Sequence, residues 1–275
     1  MKTILVINDS FSASHPAALL ALSIAQQTGA HLLLANIRPV SEKLPVNTYA
    51  LVPMNAPGIL VTEPVDSLLE ELNRINYPDR PFKPDIQVLP EATYTEADIT
   101  ALINTHHVGM VVSDIQGHGT LGKLNLQAIL NNIQCPLMLI PENFDQKSFD
   151  HIVYTADLRY CRIEILRYLI ALAKPYQASL LIAHLSASGL PHLDDNYAEM
   201  IFKESIYPLL GYPQLNYQNI KERDMNKAVD VLVNGMDTDL LVLENHRFHF
   251  EEIFGMSIPD RLPSHLMLPI LIFPY

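Results

Sequence analysis

The chain reads as an α/β protein of two tandem domains, each a five-stranded parallel sheet flanked by helices. Three observations predict this. Short apolar runs suited to buried strands alternate with helical stripes along the whole length, the pattern of parallel sheets with right-handed crossovers. Segments recur at steady offsets: Ile4-Leu5-Val6-Ile7-Asn8-Asp9 matches Ile152-Val153-Tyr154-Thr155-Ala156-Asp157, so Asp9 falls on Asp157 at 148 residues. The 275 residues suit two small domains as well as one large one.

The repeat continues through each copy. Ala30-His31-Leu32-Leu33 maps to Ala178-Ser179-Leu180-Leu181 at 148, and Gly109-Met110-Val111-Val112 to Asp239-Leu240-Leu241-Val242 at 130. Cys135-Pro136-Leu137 maps to Leu268-Pro269-Ile270 at 133. The fall from 148 to 130 gives the first copy 18 extra residues, and the Pro- and Asn-rich stretch 38–64 is the natural place for them. The first domain spans 1–142 and the second 149–275, with the aperiodic polar segment 142–148 between them.

In the first copy, strands are expected over 3–7, 31–37, 86–89, 110–113 and 137–140. Helices are expected over 17–27, with Leu20, Ile24 and Ala25 as its stripe and Gly29 as its stop, and over 66–75, with Leu68, Leu69 and Leu72 on one face. Two more follow at 95–105 and 124–133. The second copy repeats the scheme with strands near 152–154, 180–184, 215–220, 240–243 and 270–273, and helices near 162–173, 197–210 and 226–234. The last strand of each copy is apolar and bracketed by prolines, an edge that proteins normally cover. The two are therefore predicted to pack together as an intrachain pseudo-dimer; a homodimer stays open.

Composition narrows the function. The net charge of −12, with no Lys/Arg cluster, argues against nucleic acid as a partner. No apolar stretch suggests a membrane helix, and the short apolar N-terminal run lacks a cleavage site, so the chain is read as cytoplasmic with no membrane partner. Cys135 and Cys161 form neither a disulfide framework nor a metal spacing, and no metal site is expected.

Ile4-Leu5-Val6 followed by Asp9, the second strand after Gly29-Ala30, and the Met110-Val111-Val112 and Cys135-Pro136-Leu137 segments together resemble the universal stress protein family, in its tandem two-domain form. The resemblance covers both copies and implies Rossmann-like, adenine-nucleotide-α-hydrolase-like domains. It also implies that an acidic residue after the first strand meets the adenine and ribose, and that a Gly-x-x-Gly-x(9)-Gly-Ser/Thr stretch after the fourth strand cradles phosphate. Small residues let backbone N–H groups approach phosphate there, and a following helix N-terminus favours the charge.

Asp9 and Asp157 match the acidic position; capping of the following helix is the competing reading. Gly117, Gly119 and Gly122 follow the fourth strand of the first copy. Gly119 and Gly122 have the spacing of the motif's first pair, but no Gly-Ser follows at the required distance, and Asp114 brings negative charge to the same place. In the second copy Glu244, Arg247, Phe248 and Phe250 replace the small residues; His246 falls on the family's frequent His and Ser257 near its phosphate-binding Ser. Gly255 is one residue off the final glycine, and Pro259 and Pro263 are expected to disturb the helix that should start there.

Other features are weaker. Cys161 is placed early in a helix, which lowers a thiol pKa; a plain buried thiol is the competing reading. His246 and His249 share helical spacing without a completed ligand set. No catalytic residue is identified: there is no nucleophile-elbow motif and no Walker lysine. The reading is a stress-response binding or signalling protein without tight ATP binding, with no required cofactor and an unknown small ligand or protein as partner. Two alternatives stand beside it: ATP or AMP bound by the N-terminal copy, and a nucleotide hydrolase or transferase on the same fold. Any ligand is expected where Asp9 and Gly117 meet, with the 38–64 insertion as lid or plug through Tyr49, Leu51 and Met54.

Overall fold

The computed structural model describes residues 2–9, 15–37, 65–75, 82–90, 92–115, 124–141, 144, 148–186, 190–263 and 266–275. The insertion 38–64, the glycines at 117, 119 and 122, and most of the 142–148 segment lie outside the described residues.

The first half runs β1 (Thr3–Asp9), α1 (Pro16–Thr28), β2 (His31–Ile37), α2 (Val65–Ile75), β3 (Ile86–Val88), α3 (Glu96–Thr105), β4 (Met110–Ile115), α4 (Leu126–Leu130) and β5 (Leu137–Pro141). The second runs β6 (His151–Ala156), α5 (Ile163–Ala173), β7 (Ser179–Leu185), α6 (Asp195–Met200), β8 (Leu215–Ile220), α7 (Met225–Gly235), β9 (Leu240–Glu244), α8 (Phe248–Phe254) and β10 (Ile270–Phe273). Among the described residues the ten strands form one sheet in the order β3-β2-β1-β4-β5-β10-β9-β6-β7-β8. Read outward from the centre, both halves have the same strand order. Neighbours are parallel except at the centre, where β5 and β10 pair antiparallel through Leu137↔Ile272, Met138↔Leu271 and Leu139↔Ile270.

Alternation along each strand builds two apolar layers. Ile4 and Val6 face a layer with α1, α2, α5 and α6, whereas Leu5 and Ile7 face one with α3, α4, α7 and α8. With both faces covered, β4, β5, β9 and β10 are buried throughout, as parallel strands require. Helix α1 starts on Pro16, whose fixed φ suits the first turn, and stops at Gly29, whose φ of 72° is easy only for glycine. It is buried on nearly every side because it packs on β1 and β4 and also against α5 of the other half.

Several elements differ from expectation. Helix α8 (Phe248–Phe254) stands where no helix was expected, and it ends at Gly255 (φ 76°); no helix follows over 256–263, the segment that Pro259 and Pro263 were expected to disturb. Helix α4 is only Leu126–Leu130, with the Asn125 side chain accepting from Ala128 N–H as its N-cap. The helix expected over 197–210 begins as α6, passes into a π-helical turn at Ile201–Ile206 and closes as a 3₁₀ turn at Tyr207–Leu209. Cys161 lies outside any helix, in extended backbone between a 3₁₀ turn (Leu158–Tyr160) and α5, so no helix N-terminus lowers its pKa.

Candidate functional site at the carboxyl edge of the second half

The chain leaves β6 toward β7 on one side and returns as β9 on the other. The crevice between the carboxyl ends of β6 and β9 is therefore a topological switch point, where open α/β sheets bind ligands. The register Tyr154↔Val242 brings the end of β6, followed by Asp157, beside the end of β9, which is Glu244.

Asp157 caps the turn after β6, its carboxylate accepting from Arg159 N–H at 3.0 Å. It is also gripped bidentately by the same residue, Nε to Oδ1 at 2.8 Å and Nη2 to Oδ2 at 2.6 Å. Its side chain is 5% exposed. Asp157 thus caps the short 3₁₀ turn Leu158–Tyr160 and not helix α5, and the guanidinium of Arg159 supplies the countercharge. In the first half, Asp9 ends β1 in register with Ile37.

Beside Asp157 lies an arrangement that looks like a catalytic relay. His184 is fully buried, with Nδ1 3.9 Å from Asp157 Oδ1 and Nε2 3.4 Å from Ser186 Oγ. The tautomer runs the wrong way. Nδ1 accepts from Leu158 N–H at 3.0 Å, so the neutral ring carries its proton on Nε2 and cannot take one from Ser186. Burial holds the His184 pKa below its ordinary value, as it does for His249, whose Nε2 donates to Leu185 C=O at 2.8 Å.

Glu244, 6% exposed, accepts a short hydrogen bond from the hydroxyl of fully buried Tyr154. Its other oxygen lies 3.7 Å from Arg162 Nη1 and 3.7 Å from Arg247 Nε, both side chains 39% exposed. Arg162 also donates to Pro274 C=O, and Arg247 lies over the Tyr275 ring at 5.3 Å. Burial, with Cys161 and Glu244 adding, pushes Tyr154 well above the usual phenol range, so it stays a donor. Burial also pushes the Cys161 thiol up to about 12, and Cys135 likewise.

The remaining sequence-indicated residues go elsewhere. His246, at φ 54°, reaches Asn131 Oδ1 in the first half at 3.2 Å. It belongs to a cluster across the halves in which Gln127 donates to Asn245 Oδ1 at 3.0 Å and accepts from Ile258 N–H at 3.0 Å, while Asn245 donates to Asn131 Oδ1 at 2.9 Å. Ser257 is exposed in the turn after α8. An open groove of about 610 Å³ between α3 and α4 involves none of these residues. Among the described residues no trio of metal-ligating side chains converges, and no helix is long and apolar enough to cross a membrane. The sequence pointed to this edge through Asp157, Glu244 and Arg247, and gave no sign of Arg159, Arg162, His184 or Tyr154 as members of it.

The whole chain superposes on known structures. A universal stress protein from Archaeoglobus fulgidus DSM 4304 is 11% identical, covers 99% of this chain and 96% of its own, and gives a TM-score of 0.57. The fold is that of the universal stress proteins. A functionally unknown protein from Pseudomonas aeruginosa PAO1 matches at 14% identity over 100% of this chain and 92% of its own, with a TM-score of 0.58. No family sequence model matches the chain, and no curated protein matches it. On a universal stress protein fold, the Asp157–Arg159 and Glu244–Tyr154 pairs occupy the carboxyl edge with contacts from the chain itself.

Proposed function

We propose that this chain is a tandem universal stress protein, a binding or signalling module of the stress response whose C-terminal half does not hold ATP. The observation that carries this reading is Glu244. Its buried carboxylate, fixed by Tyr154, stands at the end of β9 where a phosphate-binding segment would begin, and a triphosphate there would meet a negative charge in place of backbone N–H groups. Asp157 is likewise committed to Arg159.

Charge favours a different ligand. Two carboxylates, Asp157 and Glu244, face three guanidiniums, Arg159, Arg162 and Arg247, leaving one surplus positive charge on partly exposed side chains. A small ligand with a single negative charge matches that balance. A non-enzymatic role is supported by the reversed tautomer of His184 beside Ser186 and by thiols pushed up to about 12.

A thermal-shift screen over nucleotides, monocarboxylates and other metabolites tests this, because a ligand that binds only the folded state raises its stability. Singly charged metabolites are expected to shift the transition, and ATP and AMP to leave it unmoved. A shift with ATP that Glu244→Gln enlarges and Arg247→Ala removes would reject the reading.

A further inference from the structure

The two outer strands of the sheet are built differently. β3 has three residues and is flanked by Pro84 and Pro90, the means by which proteins blunt an edge. β8 has six, Leu-Asn-Tyr-Gln-Asn-Ile, with no charge, proline or glycine among them. Among the described residues no strand pairs with its outer side.

Leu180 N–H donates to Gln214 C=O at 3.0 Å. The alternation of a parallel ladder then turns the backbone groups of Asn216 and Gln218 toward β7 and those of Leu215, Tyr217 and Asn219 outward. Leu215 N–H is taken by Tyr212 C=O in the preceding turn. The helical segment 195–209 lies over this margin, with the Phe202 and Tyr217 rings 4.7 Å apart. It leaves Tyr197, Met200, Tyr207 and Leu209 exposed.

We infer that β8 is a dimerisation edge, pairing antiparallel with β8 of a second copy about a two-fold axis at Tyr217. The self-complementary register argues for a second copy as occupant. Tyr217 meets Tyr217 of its partner and exchanges two N–H···O bonds, and Asn219 N–H of each copy reaches Leu215 C=O of the other. Asn216 stands opposite Gln218, an uncharged pair. The charged run Lys221-Glu222-Arg223-Asp224 falls opposite the uncharged Leu210-Gly211-Tyr212-Pro213, so no like charges are paired along the ladder itself. The interface is isologous and closed, and the short β3 edge does not extend it into a filament. The net charge of −12 on each copy opposes approach at long range, so added salt strengthens the dimer.

Sedimentation velocity on the full chain, over a concentration series at low and moderate salt, reads the dimer directly. Asn216 and Gln218 are exposed, so N216K/Q218K and N216E/Q218E change the edge without touching the core; far-UV circular dichroism and thermal melting check that both fold. Each variant alone is expected to be monomeric, with dimerisation weakened roughly tenfold or more by like charges opposed at two symmetric positions. A 1:1 mixture of the two is expected to recover the dimer. A wild-type chain that stays monomeric at about 100 μM, far above the Kd of a specific dimer, overturns the inference. So does a dimer that both charged variants keep unchanged.

Discussion

The two halves place an acid at the same point of the fourth strand and use it differently. Continuing the offset that maps Met110 onto Leu240 sets Asp114 of β4 against Glu244 of β9. Asp114 accepts from Ala17 N–H at 3.0 Å, filling the N-terminus of α1, whose own N-cap His15 makes no side-chain cap. Glu244, one methylene longer, takes the Tyr154 hydroxyl and lies between Arg162 and Arg247. A strand-end acid that could have faced a ligand is thus part of the scaffold in both halves: a helix cap in one and an ion cluster in the other.

That contrast can be broken by mutation. Glu244→Ala leaves the Tyr154 hydroxyl buried without its acceptor and two guanidiniums without their anion, and is expected to cost about 3 kcal/mol in urea unfolding. Asp114→Ala removes one helix cap and is expected to cost about 1 kcal/mol. Equal losses would mean that the two acids do the same work. Arg159→Ala strands a buried carboxylate and should cost about 2 kcal/mol, whereas the double variant with Asp157→Ala should lie nearer the parent than additivity allows.

The buried imidazoles of the second half sharpen the comparison through pH. Burial holds His184 and His249 below the ordinary value of 6.5. The unfolded chain therefore binds more protons than the folded one below that pH. Their contribution is complete above about 6.5 and is lost as the pH falls through the lowered folded values, at up to roughly 1.4 kcal/mol per pH unit for each ring. Stability measured from pH 7.5 to 5 should fall, and less steeply in His249→Gln. An effect as small as that of Asp114→Ala is expected at the seam between the halves, where Gln127→Ala removes the hydrogen bonds to Asn245 and Ile258 and should cost about 1 kcal/mol.

The strands and most helices were legible because apolar runs and stripes are local properties of the chain. Helix α8 was not, because seven residues are too few to show a helical stripe; the prolines at 259 and 263 bear on the segment after Gly255, where no helix forms. The edge cluster was legible only at its acids. Arg162 and Arg247 converge on Glu244 from positions 82 residues before it and three after it, and only the β6–β9 pairing brings them together. The tautomer of His184 was beyond sequence altogether, since it depends on where Leu158 N–H points. Asp9 shows the limit of the repeat: its match to Asp157 places it at the end of β1, and no arginine stands two residues later as Arg159 does, since residue 11 is Phe11.

Calorimetric titration of the full chain with magnesium-ATP tests most directly whether the C-terminal edge holds nucleotide. No saturable heat is expected from the C-terminal edge up to about 1 mM nucleotide, because Glu244 and Asp157 fill that edge with the chain's own pairs. Micromolar binding lost in Ser257→Ala or Arg247→Ala would place ATP at that edge and contradict that expectation.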